Sequence, residues 1–194
     1  MISSKLFTDP DFLVYFLSDE AITIQFGEAI NEQTFNRVSA FHHLIQKNPF
    51  KGYQTCVPAY ASLTVFYSPV QVINSSLKGD NCFDKVSRYL HQLRKRAFSG
   101  AQTKHRVMEI PVCYGGIFGP DLAEIAKYNK LSETDVIEIH SNAIYKVYMI
   151  GFVPGFAYMG GMDERLSMPR KTVPAKAVPA GSGGIAGKQT GIYP

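Results

Sequence analysis

The chain has 194 residues, 45% of them hydrophobic and 19% charged, which is enough apolar content for a sizeable core in one large or two small domains. Its formal net charge of +4 is too weak to argue for a nucleic-acid partner. No stretch approaches the roughly 18 apolar residues of a membrane span, and residues 1–10 lack the basic and apolar regions of a signal peptide, so a cytoplasmic protein is expected.

The first half reads as alternating strands and helices. Phe12 to Leu17 and Ala21 to Phe26 are apolar, β-branched and aromatic, with a turn at Ser18-Asp19-Glu20. Asn31 caps a helix running to about Lys47, on which Phe35, Val38, Phe41 and Ile45 recur at helical spacing before Pro49 ends it. Thr55 to Tyr60 and Leu63 to Tyr67 form a second strand pair. Asn81 and Asp84 open a helix to about Phe98 with the stripe Val86, Leu90, Leu93 and Ala97. His105 to Cys113 reads as another strand. This order predicts an α+β fold, a ferredoxin-like sandwich with one face of its sheet covered, over residues 1–103.

From residue 104 the chain changes character. Gly119-Pro120-Asp121 starts a short helix to about Tyr128, with Pro at its first position. Ser132 and Asp135 resemble a capping box for a helix ending near His140, ahead of a strand from Ile144 to Ile150. Beyond Gly151 glycine and proline exclude regular helix, yet Phe156, Tyr158, Met159, Leu166, Ile185 and Ile192 are too apolar for a solvated linker. Short strands and ordered loops around a barrel-like core are expected over 104–194.

Several motifs do not survive counting. Ala180 to Thr190 looks like a phosphate-binding loop, but Ser182 stands where its first glycine belongs and Gln189 where its hydroxyl belongs. Leu122 to His140 could pass for a helix-turn-helix, but the second helix carries Glu133, Asp135 and Glu138 and no Lys or Arg, the wrong sign for DNA. Lys85, Arg88, Arg94, Lys95, Arg96, Lys104 and Arg106 form a basic cluster that is either a solvated face or a docking surface for an acidic partner. Cys56, Cys82 and Cys113 are widely spaced and read as reduced thiols, and His42, His43, His91 and His105 lack ligand spacing, so no metal site is expected.

The polar groups that do cluster lie among the glycines of the second half. Phe152, Pro154, Gly155, Phe156 and Tyr158 form one segment; Arg170 belongs to a second; Gly181, Ser182, Gln189 and Thr190 complete the third. Prolines and glycines pre-shape loops whose amides approach a ligand closely, and rings supply an apolar wall. Arg170 has the chemistry to clamp a carboxylate, or equally to form a surface ion pair. His140 is suited to proton transfer near neutral pH, or simply to the C-terminal end of a helix.

Val57-Pro58-Ala59-Tyr60-Ala61-Ser62, Glu109-Ile110-Pro111-Val112-Cys113-Tyr114-Gly115-Gly116, Gly151-Phe152-Val153-Pro154-Gly155-Phe156, Pro169-Arg170, Val178-Pro179-Ala180-Gly181-Ser182 and Gly191-Ile192-Tyr193-Pro194 carry a resemblance. Together they resemble the B component (PxpB) of the bacterial ATP-dependent 5-oxoprolinase, the family also labelled allophanate hydrolase subunit 1, which includes the kinase inhibitor KipI. The resemblance implies a ferredoxin-like N-terminal domain and a cyclophilin-like C-terminal barrel, whose last strands should lie in some tens of further residues that family members possess. It also implies two partner proteins, one PxpC/KipA-like and one LamB/YcsF-like, and ATP consumed at the level of the complex to open 5-oxoproline to glutamate. Activity is therefore expected only within a complex. Two alternatives accompany it: an inhibitor that docks on a sensor histidine kinase, and a carboxyltransferase component of the allophanate hydrolase or urea carboxylase type.

Overall fold

The protein is described by a computed structural model covering residues 12–29, 31–97, 106–173, 175 and 177–194. The described residues form a mixed α/β fold with two four-stranded antiparallel sheets. Two compact units, Met1–His105 and Arg106–Pro194, each hold one of them.

In the first unit β1 (Leu13–Ser18) and β2 (Ala21–Gln25) form a hairpin, and β3 (Tyr53–Pro58) pairs with β4 (Ser62–Tyr67), giving the order β1-β2-β4-β3. Strand alternation decides what is buried: Leu63, Val65 and Tyr67 of β4 point into the core, as do Ile22 and Ile24 of β2. Helix α1 (Glu32–Lys47) begins where Asn31 accepts a 2.8 Å hydrogen bond from the Thr34 amide. It buries Thr34, Val38, Phe41 and Ile45; the first buried position falls on Thr34, one residue before the expected Phe35. A short helix that periodicity did not reveal, α2 (Pro69–Ile73), starts at Ser68. Helix α3 (Cys82–Ala97) is capped by Asn81, whose side chain accepts from the Asp84 amide at 2.9 Å, and buries Val86, Leu90 and Leu93. The side chains of Arg96 and Ala97, and residues Phe98, Lys104 and His105, lie outside the described region.

Much of the basic cluster is engaged by its own unit. Arg88 pairs with Asp84 at 2.7 Å, the Lys85 ammonium donates to the Leu77 carbonyl at 2.8 Å, and the Arg94 guanidinium lies 5.0 Å from the centre of the Phe12 ring. Burial pushes the Asp84 carboxyl up, but hydrogen bonds from Arg88 and the Asp80 amide outweigh it and hold it below the usual range.

In the second unit α4 (Leu122–Asn129) and α5 (Glu133–Asn142) share a small core of Leu122, Ala126, Val136, Met162 and Leu166. The capping box at α5 is complete: the Asp135 amide donates to Ser132 Oγ at 3.0 Å, and the Ser132 amide donates to the Asp135 carboxylate at 2.9 Å. Pro120 precedes the N-cap Asp121, so it is not the first helical residue as expected; Leu122 is. Strands β5 (Lys146–Ile150), β6 (Ala157–Gly160), β7 (Gly183–Ala186) and β8 (Gln189–Ile192) form a sheet of order β5-β6-β8-β7.

The expected strand over 105–113 does not form among the described residues 106–113. A strand exists only through a hydrogen-bonded neighbour, and this segment has none in the described sheet; Val107 is 80% exposed and Ile110 57%. Among the described residues no helix is long and apolar enough to cross a membrane.

Candidate functional site

The connection between β5 and β6 is shaped by three backbone hydrogen bonds. The Gly151 amide donates to the Phe156 carbonyl at 3.0 Å, the Val153 amide to the Gly151 carbonyl at 2.8 Å, and the Phe156 amide to the Val153 carbonyl at 3.1 Å. Val153-Pro154-Gly155-Phe156 is thus a hydrogen-bonded turn with proline at its second position and a positive-φ glycine (Gly155, +92°) at its third, the arrangement of a type II turn.

That turn delivers Phe156, 8% exposed, into a cluster of rings. Its centroid lies 4.7 Å from Tyr158, 4.9 Å from Tyr193 and 5.8 Å from Phe152, each roughly edge to face. Position 191 on β8 has no room for a side chain: a Cβ there would stand 2.6 Å from Phe156 Cζ and 2.9 Å from the Ala157 carbonyl oxygen. The ring therefore lies on the sheet where Gly191 faces Tyr158 across the β6–β8 ladder. Gly181 and Ser182 reach the same cluster through the backbone of Tyr193. Its carbonyl accepts from the Gly181 amide at 2.9 Å, and its amide donates to the Ser182 carbonyl at 3.0 Å. Thr190 is buried and its hydroxyl donates to the Gly184 carbonyl at 2.9 Å; Gln189, half-buried, pairs with Ala186 at the end of the β7–β8 hairpin.

Phe152, Gly155, Phe156, Tyr158, Gly181 and Ser182 thus share one neighbourhood built around Tyr193, with Pro154 in the same turn. Arg170 is exposed, and among the described residues no hydrogen bond or ion pair joins it to Ser182 or Gln189. Its segment runs beside the β7–β8 turn, where Met168 and Gly187 bridge and Ser167 Oγ donates to the Gly187 carbonyl at 3.0 Å. The neighbouring Lys171 is the cation that finds carboxylates, Asp121 at 2.6 Å and Glu124 at 3.6 Å.

His140 belongs to a different set of contacts. Its Nδ1 lies 2.6 Å from the Tyr114 hydroxyl, Tyr145 donates to its backbone carbonyl at 3.0 Å, and both rings pack on the imidazole at 5.6 and 5.2 Å. Burial lowers the His140 pKa and raises those of Tyr114 and Tyr145, the last to about 12, so all three are neutral at pH 7. Sequence pattern alone did not connect Tyr114 and Tyr145 with His140; the Tyr114-Gly115-Gly116 run was the available signal. An open groove of about 690 Å³ is lined by Leu131, Asp135, Glu138, Asn142, Gly161 and Arg165 among others, and by none of the residues predicted to bind substrate.

The glycine-rich segment does not fit a nucleotide phosphate. Residues 183–192 are a β-hairpin, and Gln189–Ile192, where the helix of a phosphate loop would begin, is strand β8. The Gly181, Ser182 and Gly187 amides are already given to the Tyr193, Pro179 and Met168 carbonyls, and Lys188 pairs with Glu164 at 2.8 Å. Among the described residues no three His, Cys, Asp or Glu side chains converge as metal ligands.

Residues 12–194 match the family described as carboxyltransferase domain, subdomain C and D. The B component of the 5-oxoprolinase of Bacillus subtilis (strain 168) is 48% identical over 179 residues, 92% of this chain and 75% of that protein. The crystal structure of TTHA0988 superposes with a TM-score of 0.73 at 34% identity, over 89% of this chain; the match spans only 32% of that longer chain. The urea carboxylase of Kluyveromyces lactis shares the fold at a TM-score of 0.61 and 14% identity, covering 99% of this chain and 18% of that one.

Proposed function

The chain belongs to the carboxyltransferase subdomain C and D family, and from that membership we propose that it is the B-type component of an ATP-dependent 5-oxoprolinase, which opens the lactam of 5-oxoproline to glutamate. The observation that carries this reading is the 48% identity to the B component of a 5-oxoprolinase along 92% of the chain. The 179 aligned residues are more than either compact unit holds, so the likeness spans both.

The reading has a chemical side. 5-Oxoproline is a small, nearly flat ring with apolar methylenes, a lactam and a carboxylate. Phe152, Phe156 and Tyr158 supply an apolar wall for such a ring. Arg170, exposed on a neighbouring segment, is the proposed carboxylate partner, with Gly181, Ser182, Gln189 and Thr190 bordering the binding surface. His140, held as the neutral base, is the proposed proton-transfer group. ATP is assigned to another member of the complex, since the Gly181, Ser182 and Gly187 amides that would cradle phosphate here already have partners. The proposed partners are a PxpC/KipA-like protein and a LamB/YcsF-like protein, assembled with this chain in the cytoplasm. The finer architectural reading, a ferredoxin-like first domain over 1–103 and a cyclophilin-like second domain over 104–194, belongs to the same proposal.

The test is reconstitution. This chain, co-purified with the two partner proteins, is expected to hydrolyse ATP only when 5-oxoproline is supplied. A complete complex whose ATP turnover ignores 5-oxoproline contradicts the proposal.

A further inference from the structure

The geometry points to Phe152 as the specificity-determining residue of this site, its ring kept in place against the preference of its own backbone; the inference rests on the functional reading above. Among the described residues two that are not glycine have positive φ, Lys130 at +57° and Phe152 at +66°. Lys130 is explained locally, because it ends helix α4 in the left-handed conformation that commonly closes helices. Phe152 ends no helix. The 2.8 Å bond from the Val153 amide to the Gly151 carbonyl makes it the centre of a three-residue γ-turn of the rare, strained hand.

A glycine or asparagine would occupy this position at lower cost, because the left-handed region crowds Cβ against the following carbonyl. Folding gains little from the phenyl ring in return. It is 76% exposed, and its ring contact is the edge-to-face approach to Phe156 at 5.8 Å. Nor does the turn need it, since the loop is closed by backbone hydrogen bonds at Gly151, Val153 and Phe156 that involve no side chain. A strained residue with an exposed aromatic side chain on a rigid turn is where function accounts for what stability does not.

The ligand class follows from the shape. Phe156 is buried under its neighbouring rings, whereas Phe152 leaves its ring face open above it. A small flat ring with apolar faces, such as a five-membered lactam, stacks on that open face. Removal of Phe152 is therefore expected to weaken ground-state capture of that ring without touching the bond being broken.

The experiment uses the reconstituted complex carrying wild type, Phe152→Asn, Phe152→Gly or Phe152→Tyr, with saturation kinetics on 5-oxoproline and thermal melting of each chain. Phe152→Asn should melt no lower than wild type and raise KM about tenfold with kcat retained, a factor that corresponds to about 1.4 kcal/mol. Phe152→Tyr should keep the wild-type KM. An unchanged KM in Phe152→Asn and Phe152→Gly overturns the inference, and so does a lowered melting temperature, which would make the ring structural. Loss of co-purification with the partner proteins also overturns it, because the ring would then anchor a protein surface. A wild-type complex inactive on 5-oxoproline removes the functional reading and this inference with it, a result distinct from an active complex indifferent to position 152.

Discussion

At the scale of single residues, Gly191 is the seat on which the aromatic cluster rests. Gly191→Ala places a methyl 2.6 Å from Phe156 Cζ and 2.9 Å from a carbonyl oxygen that cannot swing away. Overpacking of this kind costs about 1–3 kcal/mol, which a shift of the urea midpoint would reveal; an unshifted midpoint would mean the ring sits elsewhere. His140 makes a second prediction. Burial lowers its pKa from 6.5, as it does for His42 and His91. A histidine whose folded pKa is depressed contributes stability that is complete above the unfolded value and lost as pH falls through the folded one. Melting temperature should therefore be level just above pH 6.5 and decline below it. Tyr114→Phe removes the 2.6 Å bond to His140 Nδ1 and should cost about 0.5–1.5 kcal/mol. These residues were unequally legible. Gly155 and Phe156 could be read from the Pro-Gly turn they occupy. The position of Arg170 could not, since nothing local in the sequence states where an exposed cation finds its partner, and here its neighbour Lys171 holds the carboxylates.

At the scale of elements, what carried a chemical punctuation mark was legible and what depended on a distant partner was not. Asn31, Asn81 and Ser132 each announced a helix, and each caps one. Ser132→Ala should accordingly weaken the second unit by about 1 kcal/mol, measured by denaturant unfolding, with Ser132→Asn largely retaining stability. Helix α2 escaped notice because its five residues are too short to show a period. The 105–113 segment failed for the opposite reason: its alternation reads as strand, but a strand is a pairwise object and pairing is invisible to a local pattern. The β7–β8 hairpin shows the value of counting, since a glycine-rich run resembling a phosphate loop is a β-turn whose flanking amides are already occupied.

At the scale of the whole molecule, the mixed α/β class was legible because apolar, β-branched runs alternate with capped helical stripes along the first half, and both kinds of element form there. The seat of the ring cluster was not, because which β8 residue lies under Phe156 depends on a strand pairing that no local pattern states. If this chain is an indispensable component of a 5-oxoproline-opening complex, leaving it out must abolish turnover. The most direct measurement follows carbon-labelled 5-oxoproline through the reconstituted complex with this chain present or left out. Labelled glutamate, formed in step with ATP consumption, is expected only when the chain is present. Equal glutamate from the partners alone, or none from the full assembly, would contradict it.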